Sequence, residues 1–393
     1  MGTTLVLVLV IAAAVSFDFT NGFHDTANAM ATSIATGALK PRIAVLISAM
    51  LNFVGAFISI SVAATIAKGI VEPSVSNGVD GLAVVQAALI GAMVWNLITW
   101  YFTIPSSSSH ALIGGLIGAA IADVGSHAVS ARGIVEKVVA PGVLAIFICG
   151  AVAFLATSAA YMLIRRLGQE EARRGYRYGQ IGSASLVSLA HGTNDAQKTM
   201  GVIALALIST GHLSAAHFSV PIWVKLLCAT AMALGTASGG WRIINTMGNR
   251  ITTVESPQGF AAESSSAATI LASSYYGYPL STTQIVSGGV MGAGLAKRGG
   301  VVHWPVVGQM AIAWVVTLPS AGVVAYAMWH ISDLFGTNTN AGAIAITVLA
   351  AVIAAGLWIL SKRTAITARD LDRTNITPEL EAERAADVSP ALA

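Results

Sequence analysis

Two polar motifs each occur twice in this chain, and all four copies lie within otherwise apolar sequence. GFHDTANAM at 22–30 returns as GTNDAQKTM at 192–200, and PSSSSHALIGG at 105–115 returns as PLSTTQIVSGG at 279–289. Polar groups are costly at membrane depth, so those that are kept there usually bind an ion or a substrate. The duplication therefore indicates one binding site formed by two related halves of the chain.

Aspartates at equivalent positions, Asp25 and Asp195, lie at the centre of the first motif pair. A charge at the bilayer centre costs about 3 kcal/mol, so such carboxylates usually line an ion or substrate path. Gly22 and Gly192, with neighbouring asparagines, are expected to let the helix unwind and free carbonyl oxygens for cations. Alternatively, each aspartate pairs with a lysine, or caps a half-helix, only to support folding. The asparagines concerned are Asn21, Asn28 and Asn194.

Runs of hydroxyl side chains follow a proline in both copies of the second motif, at 106–109 and 281–283. Proline suits the start of a helix, and serine and threonine are favoured N-cap residues. Both runs should therefore lie at helix N-termini, where free N–H groups and the helix dipole attract anions. Two such ends facing each other predict a cradle for a tetrahedral oxyanion, with ordinary capping and helix packing as the alternative. The expected anion ligands are Ser107, Ser108, Ser109, Ser281, Thr282 and Thr283.

The two halves differ at the positions where coupling to an ion would be decided. Lys198 stands at the position equivalent to Asn28, and three histidines stand opposite neutral amides. An ammonium at Lys198 could take the place of a coupling cation, and the unperturbed pKa of histidine, about 6.5, lies near neutrality. This asymmetry predicts proton coupling, with Asp18 and Glu263 as relays or as partners of Lys198. The mismatched pairs are His24 with Asn194, His191 with Asn21, and His110 with Gln284.

The composition excludes a soluble protein. Of 393 residues, 55% are hydrophobic and 10% are charged, whereas soluble domains carry about 25% charged residues. Apolar runs such as 43–66 and 138–164 are continuous rather than alternating, which predicts membrane helices instead of a β-barrel. No Walker loop, dinucleotide fingerprint or metal-ligand spacing occurs. We therefore expect no cofactor, no intrinsic metal and no nucleic-acid partner.

We interpret each half of the chain as five membrane crossings, and one further helix follows the second half. The predicted fold class is an all-α polytopic membrane protein with about 10–12 transmembrane helices. Because five is odd, the second half should enter the membrane upside down, which gives two inverted-topology repeats with broken or re-entrant helices at the midplane. The predicted segments are repeats at 1–164 and 181–329, a cytoplasmic connector at 165–180, a helix at 330–361 and a disordered tail at 362–393. The first crossing, 3–36, is predicted to be long and broken.

The distribution of basic residues predicts the orientation of the chain in the membrane. One set of alternate loops carries thirteen lysines and arginines, including five between 165 and 177, and the other set carries three. Because cytoplasmic loops are enriched in basic residues, the richer set is assigned to the cytoplasm. The N-terminus should then lie outside and the C-terminal tail in the cytoplasm.

At these motifs the chain resembles the inorganic phosphate transporter (PiT) family. That family's G-A-N-D-V-A-N-like element is matched by 22–28 and 192–198, and its P-x-S-[ST]-[ST]-H/Q element by 105–110 and 279–284. The resemblance covers roughly 1–361 and implies secondary transport of inorganic phosphate, usually by a homodimer. It implies phosphate binding at both hydroxyl runs. It also implies coupling cations near Asp25, Asn28, Asn194 and Asp195.

The motifs depart from the family's sodium-coupled pattern. At these positions they resemble the bacterial low-affinity, proton-coupled branch of the family, which carries phosphate with a divalent metal. GFHD replaces GAND at 22–25, and Lys198 replaces an asparagine. We therefore expect proton-driven import of phosphate, alone or as a metal–phosphate complex, across a bacterial cytoplasmic membrane. Sodium coupling and sulfate transport on the same scaffold are the alternatives.

Two other classes of protein fit part of the sequence. An intramembrane phosphatase would use a serine of 106–109 as nucleophile and His110 as base, but one reaction does not need a duplicated nucleophile run. A passive channel would leave the carboxylates at membrane depth without a role. The prediction is therefore a secondary transporter and not an enzyme.

Overall fold

Helices form almost all of the regular structure in this protein. The computed structural model describes residues 2–69, 78–166, 169–214, 216–297, 300, 302–336 and 339–374. Within these ranges the sole β-type pairing is a single bridge between Thr252 and Val302. The predicted all-α class is confirmed.

Among the described residues, seven α-helices lie in the first half of the chain and six in the second, followed by two at the C-terminus. The first seven are α1 (Gly2–Ala35), α2 (Pro41–Gly55), α3 (Ser61–Gly69), α4 (Gly78–Tyr101), α5 (Ser108–Val124), α6 (Ala131–Ile134) and α7 (Ala140–Ile164). The next six are α8 (Gln169–Ser209), α9 (Ile222–Ser238), α10 (Trp241–Asn249), α11 (Ser256–Tyr275), α12 (Thr282–Ala296) and α13 (Trp304–Leu334). The last two are α14 (Asn340–Ser361) and α15 (Ala368–Thr374).

Equivalent helices of the two halves make equivalent contacts. Helix α1 packs on α9 while α8 packs on α2, and α5 packs on α13 while α12 packs on α7. Helices α4 and α5 form a hairpin, as do α11 and α12. Each hairpin therefore lies against the last helix of the opposite half, and the long helices α1 and α8 contact each other between them.

Membrane-spanning length and composition are found in a subset of the helices. Among the described residues, five helices are long and apolar enough to cross a membrane, and a sixth span results if α9 and α10 are counted together. Two more apolar helices, α2 and α5, are shorter. The predicted broken helices are present, because α9 and α10 meet at a bend of 70°. Gly239 at this bend has a φ of +76°, a backbone conformation that favours glycine.

The first motif pair does not break its helices, which corrects one expectation. Helices α1 and α8 run without interruption through 22–30 and 192–200. Gly22 and Gly192 instead permit close packing. A Cβ at Gly22 would overlap the carbonyl oxygen of Met232, and one at Gly192 would overlap that of Asn52. These glycines therefore bring neighbouring backbones together and do not free carbonyl oxygens for a cation.

The connector and the tail also differ from their predicted forms. Helix α8 begins at Gln169, so most of the predicted connector, 165–180, is the start of a helix that continues into the second repeat. Part of the tail is ordered as α15, which packs against α1, α2 and α10. Leu371 on α15 is buried, and this apolar contact explains why a segment with many charges folds back. Residues 375–393 lie outside the described part of the chain.

Two apolar cores lie on either side of a polar layer. Along α1, one core includes residues up to Phe17 and the other begins at Ala27. Along α8, the order is reversed, and the two cores meet between Ala190 and Ala196. Buried hydrophobic contacts thus hold α1 and α8 on both sides of their shared polar motifs, and the motifs face each other in the middle.

Candidate functional site

The two motif aspartates lie next to each other at the contact between α1 and α8. Side-chain ligand atoms of Asp25, His191 and Asp195 all lie within 4.8 Å of one another. All three side chains are buried. The contact brings together two carboxylates from opposite halves of the chain. His191 lies one helical turn before Asp195 on α8.

Asp25 connects the first motif to the first hydroxyl run. Its Oδ1 lies 2.6 Å from Nδ1 of His24, and its Oδ2 accepts a hydrogen bond of 2.8 Å from the hydroxyl of Ser108. On the far side of the imidazole, Nε2 of His24 lies 3.3 Å from the hydroxyls of both Thr99 and Ser106. His24 therefore links Asp25 to the hairpin formed by α4 and α5.

Asp195 forms an ion pair with the lysine of its own motif. Nζ of Lys198 donates to Oδ1 of Asp195 at 2.7 Å and also to the hydroxyl of Ser109. Oδ2 of Asp195 accepts a hydrogen bond of 3.3 Å from Asn21 and lies 3.6 Å from Nε2 of His191. Lys198 thus balances one of the two carboxylate charges and reaches the hydroxyl run of the opposite half.

The hydroxyl runs begin helices, as predicted. Ser107 is the N-cap of α5, where its hydroxyl accepts from the backbone N–H of His110 at 3.1 Å. Ser281 is the N-cap of α12 and accepts from the backbone N–H of Gln284 at 3.3 Å. The side chains of His110 and Gln284 approach to 3.5 Å, so the two helix N-termini meet. Ser107 and Ser281 act as caps, which leaves the following hydroxyls of each run nearest the carboxylates.

Asn28 of α1 reaches the second hydroxyl run in the way that Lys198 of α8 reaches the first. Its amide donates to the hydroxyls of Thr282 at 3.1 Å and Thr283 at 3.0 Å. Ser109, the partner of Lys198, donates to the backbone carbonyl of Leu280 at 3.0 Å. Each central helix therefore holds the hairpin tip of the other half, and the two tips are bonded to each other.

Several buried acceptor atoms in this cluster lack a partner among the described residues. Each of them is an amide oxygen or an imidazole nitrogen. Such an oxygen, or such a nitrogen when it carries no proton, can accept a hydrogen bond or coordinate a cation but cannot donate. Asn194 illustrates the pattern, because its amide nitrogen donates to Ser274 at 2.9 Å while its oxygen has no partner. The unpartnered atoms are Oδ1 of Asn21, Asn28 and Asn194, and Nε2 of His191. A cation or a protonated ligand would satisfy such atoms.

Asp18 and Glu263 bond to residues other than Lys198, and their role as proton relays stays a prediction. Oδ1 of Asp18 accepts a hydrogen bond of 2.6 Å from Thr199. Glu263 accepts from Thr32, from Ser183 at 2.6 Å and from Gln180 at 3.2 Å. Asp18 therefore lies beside Thr199, the residue that follows Lys198, and Glu263 belongs to a separate polar cluster between α1, α8 and α11.

Three hydroxyl residues that support the site carry no sequence signal. Thr99 contacts His24, Ser274 accepts from Asn194, and Thr236 accepts from Asn52 at 3.0 Å. Asn52 in turn lies 3.0 Å from Nδ1 of His191. Single hydroxyls are common in apolar helices, where they usually bond to their own backbone, so spacing alone could not single them out.

Comparison with known proteins agrees with this geometry. A family model described as "Phosphate transporter family" matches residues 21–325. A "Probable low-affinity inorganic phosphate transporter" of Mycobacterium bovis is 51% identical over 375 residues, which cover 95% of this chain and 87% of that protein. A protein of the same description from Bacillus subtilis is 43% identical over 325 residues, or 82% and 96% of the two chains.

A solved structure shares the fold. It is described as "The sodium-dependent phosphate transporter" and aligns with a TM-score of 0.74 at 25% identity, covering 84% of this chain and 99% of its own. Buried motifs in apolar helices, together with relatives named as transporters, make this chain a multi-pass membrane transporter and not an enzyme. It belongs to the phosphate transporter family.

Proposed function

We propose that this transporter imports inorganic phosphate together with protons, through the cluster between α1, α5, α8 and α12. The observation that carries the proposal is the meeting of two hydroxyl-rich helix N-termini beside Asp25 and Asp195. Helix N-termini attract anions, whereas the carboxylates attract protons or cations. One site can therefore take an anion and its coupling ion together.

Four hydroxyls are best placed to bind the anion. The hydroxyls of Ser108 and Ser109 now donate to Asp25 and to the carbonyl of Leu280, and each can donate to a phosphate oxygen instead. Those of Thr282 and Thr283 accept from Asn28, so their own O–H groups can donate to a phosphate oxygen while these bonds persist. The ammonium of Lys198, already bonded to Ser109, supplies countercharge. Phosphate binding at this position would release Ser108 from Asp25 and Ser109 from Leu280.

Protonated phosphate suits the acceptor atoms better than sulfate does. Monohydrogen and dihydrogen phosphate carry O–H donors, and Asp25 and the amide oxygens of Asn21 and Asn28 are acceptors. Sulfate is fully ionised near neutral pH, so its oxygens would face these acceptors without a proton between them. The donor and acceptor pattern therefore favours phosphate over the sulfate alternative.

Proton coupling is supported by the groups that accompany the carboxylates. His24 and Asp25 lie 2.6 Å apart, and His191 lies 3.6 Å from Asp195, so each carboxylate has a titratable neighbour. Lys198 already neutralises Asp195 at the position where a coupling cation would bind. In this proposal protons enter at the two histidine–aspartate pairs, and the lysine replaces a metal cation.

Sodium coupling is the second candidate, favoured by one observation. The amide oxygens of Asn28 and Asn194 have no partner among the described residues, and oxygen atoms of this kind coordinate small cations. Asp25, His191 and Asp195 could also hold a divalent metal carried in with phosphate. Transport would then require sodium or a divalent metal on the outer side of the membrane, whereas proton coupling requires neither.

Transport by this fold requires that the site open to each side in turn. The equivalent contacts of the two halves support an arrangement as inverted repeats, in which each hairpin moves against the last helix of the other half. The excess of basic residues in alternate loops supports a cytoplasmic location for 165–180 and for the C-terminal tail in a bacterial cell. The resemblance to the PiT family adds a homodimer to the proposal.

Uptake of labelled phosphate into proteoliposomes tests the proposal. We expect accumulation under an imposed proton gradient, no stimulation by an imposed sodium gradient, and little competition by sulfate. Dependence on sodium would overturn the choice of coupling ion. Sulfate-sensitive uptake without phosphate accumulation would overturn the choice of substrate.

Lys198→Asn tests whether the lysine replaces a coupling cation. We expect proton-driven uptake to fall by about tenfold or more, the change produced by losing about 1.4 kcal/mol of interaction energy, or to become sodium-dependent. Lys225→Asn, on the partly exposed face of α9, is the matched control and should transport normally. Unchanged proton-driven uptake by Lys198→Asn would remove the lysine from the coupling mechanism.

A further inference from the structure

A large apolar crevice lies between the helices of the two halves and the C-terminal helix. Its volume is about 740 Å³, and helices α1, α4, α9 and α14 line it. No lining residue is charged. The four lining hydroxyls, those of Ser16, Thr20, Ser238 and Thr347, all donate to backbone carbonyls of their own helices. The crevice wall therefore offers no free hydroxyl donor, and a polar solute would lose hydration on entering.

The length of the crevice matches half a bilayer. On α14 the lining residues run from Thr347 to Trp358, and on α1 from Ala12 to Phe23. Eleven residues of helix correspond to about 16 Å, and the hydrocarbon core of a bilayer is about 30 Å thick. The crevice is thus long enough for much of one acyl chain and too short for a molecule that spans the membrane.

Cationic side chains lie at one end of the crevice. Trp100 and Trp358 mark this end, and Nζ of Lys362 lies 3.8 Å from the ring centroid of Trp358. Arg363 follows and is exposed. Arg242 closes the end of the crevice by donating to the backbone carbonyls at the ends of α4 and α14, namely those of Tyr101 at 2.9 Å and Ser361 at 2.7 Å.

We propose that the crevice binds one anionic phospholipid, with an acyl chain between α1 and α14 and its phosphate at Lys362 and Arg363. Apolar walls, a length of half a bilayer and positive charge at one end together describe an amphiphile with an anionic head. Trp358 is 57% exposed, so the crevice is open to the surface of the protein, where lipid is available.

The position of the lipid bears on the transport site. Phe23 lines the crevice and packs edge-on against Trp100, with ring centroids 5.2 Å apart. The next residue, His24, contacts Asp25 on the other face of the same helix. Helix α1 is therefore the wall between the two sites, and an acyl chain supports the helix directly behind the first motif.

Native mass spectrometry of the purified full-length protein tests the lipid site. Phosphatidylglycerol and phosphatidylcholine are added together in equal amounts, and bound lipids are counted per chain. We expect one retained phosphatidylglycerol in preference to phosphatidylcholine. Lys362→Gln should reduce this preference by about fivefold, the contribution expected of one basic residue near a charged lipid. Equal retention of the two lipids by the parent protein would overturn the proposal.

Two substitutions on α14 separate the crevice from the rest of the lipid-facing surface. Ala351→Phe places a ring inside the crevice and should reduce retention of phosphatidylglycerol. Ala355→Phe places the same ring on an exposed position outside the lining and should leave retention unchanged. If the two variants retain lipid equally, the crevice is not the site. If Ala351→Phe changes the monomer-to-dimer ratio and not the lipid count, a second copy of the chain occupies the crevice and the proposal fails.

Discussion

The two ends of the paired helices α1 and α8 are built from equivalent positions but from opposite chemistry. At one end, Glu263 of α11 accepts hydrogen bonds from Thr32 of α1 and from Gln180 and Ser183 of α8. Gln180 also accepts from Thr36 at 2.8 Å. A buried carboxylate with several donors therefore ties three helices together.

Apolar side chains occupy the equivalent positions at the other end. The spacing of the repeated motifs assigns Leu89 to Glu263, Val202 to Thr32 and Val10 to Gln180. Leu89, Val202 and Val10 are fully buried and belong to one apolar core. Opening this end would expose apolar surface to water, whereas the polar groups at the other end can exchange their partners for water.

The two halves are therefore alike at the centre of the molecule and differ at the two ends of α1 and α8, which we call the two closures. Under the alternating access proposed above, the site needs two closures, and these two differ in the physical cost of wetting. We expect the end with Glu263 to hydrate more readily than the end with Leu89. The following substitutions test that comparison, beginning with the largest expected effect.

Leu89→Glu would give the apolar end the carboxylate of the polar end without its donors. An unpaired charge at this depth costs about 3 kcal/mol, so we expect a large loss of folded protein and a lower melting temperature in detergent. Leu89→Met, which keeps the volume and the apolar character, is the control. Normal stability of Leu89→Glu would show that this end already admits water.

Glu263→Leu would make the polar end resemble the apolar end. Thr32, Gln180 and Ser183 would lose their shared acceptor, and a buried polar group without a partner costs about 1–3 kcal/mol. We expect a lower melting temperature and uptake reduced by about tenfold. Glu263→Gln keeps an acceptor oxygen and should recover most of the stability, so any uptake defect that persists in it reports on the charge alone.

Thr32→Val and Val202→Thr exchange a single side chain between the two ends. Thr32→Val removes one hydrogen bond to a carboxylate, worth about 1.5–3 kcal/mol, while Val202→Thr adds a hydroxyl that can bond to its own helix backbone. We expect the first variant to melt at a lower temperature than the second. The reverse order would contradict the assignment of polar and apolar closures.

The smallest effect is expected at the end of the hairpin formed by α11 and α12 where α11 begins. Burial raises the pKa of Glu255, but hydrogen bonds from Lys297 and Tyr161 outweigh burial and lower that pKa below its usual value of 4.5. The ionised form is thus favoured in the folded protein, so its contribution to stability is present above about pH 4.5 and is lost as the pH falls further. Because the carboxylate is half exposed, solvent screening keeps the effect small.

Melting temperatures of the parent and Glu255→Gln measured between pH 7 and pH 3.5 check this expectation. The parent should be slightly more stable at pH 7, and the two proteins should converge at the acidic end. A difference that grows on acidification would mean that folding raises the pKa of Glu255 instead of lowering it.

The sequence predicted the centre of the molecule well because repetition marks it. The motif aspartate occurs twice, as Asp25 and Asp195, and the hydroxyl run occurs twice, at 106–109 and 281–283. The structure brings all four motif copies together. The predicted unwinding at Gly22 and Gly192 was wrong, since a glycine in an apolar helix signals either a break or a close helix contact, and sequence alone does not distinguish them. The breaks lie elsewhere, at Gly239 and at the hairpin tips.

Polar residues that occur once were harder to place. Glu263 and Asp18 precede the motifs in sequence and were predicted as relays or as partners of Lys198, but their positions along α11 and α1 give them other hydrogen-bond partners. Thr236 and Ser274 support the site through single hydrogen bonds and have no repeated neighbour to reveal them. Long-range packing decides such contacts, and no local pattern encodes it.

The crossed contacts at the hairpin tips bear on how such a protein could arise. Asn28 of the first half holds Thr282 of the second, and Lys198 of the second half holds Ser109 of the first. Each half therefore contributes one anchoring side chain, Asn28 or Lys198, and the hairpin tip that it holds belongs to the other half. Under the proposed inverted arrangement, an ancestral half-length gene would have needed two products inserted in opposite orientations. After fusion of two such copies the anchoring side chains need not match, and here one is Lys198 and the other is Asn28.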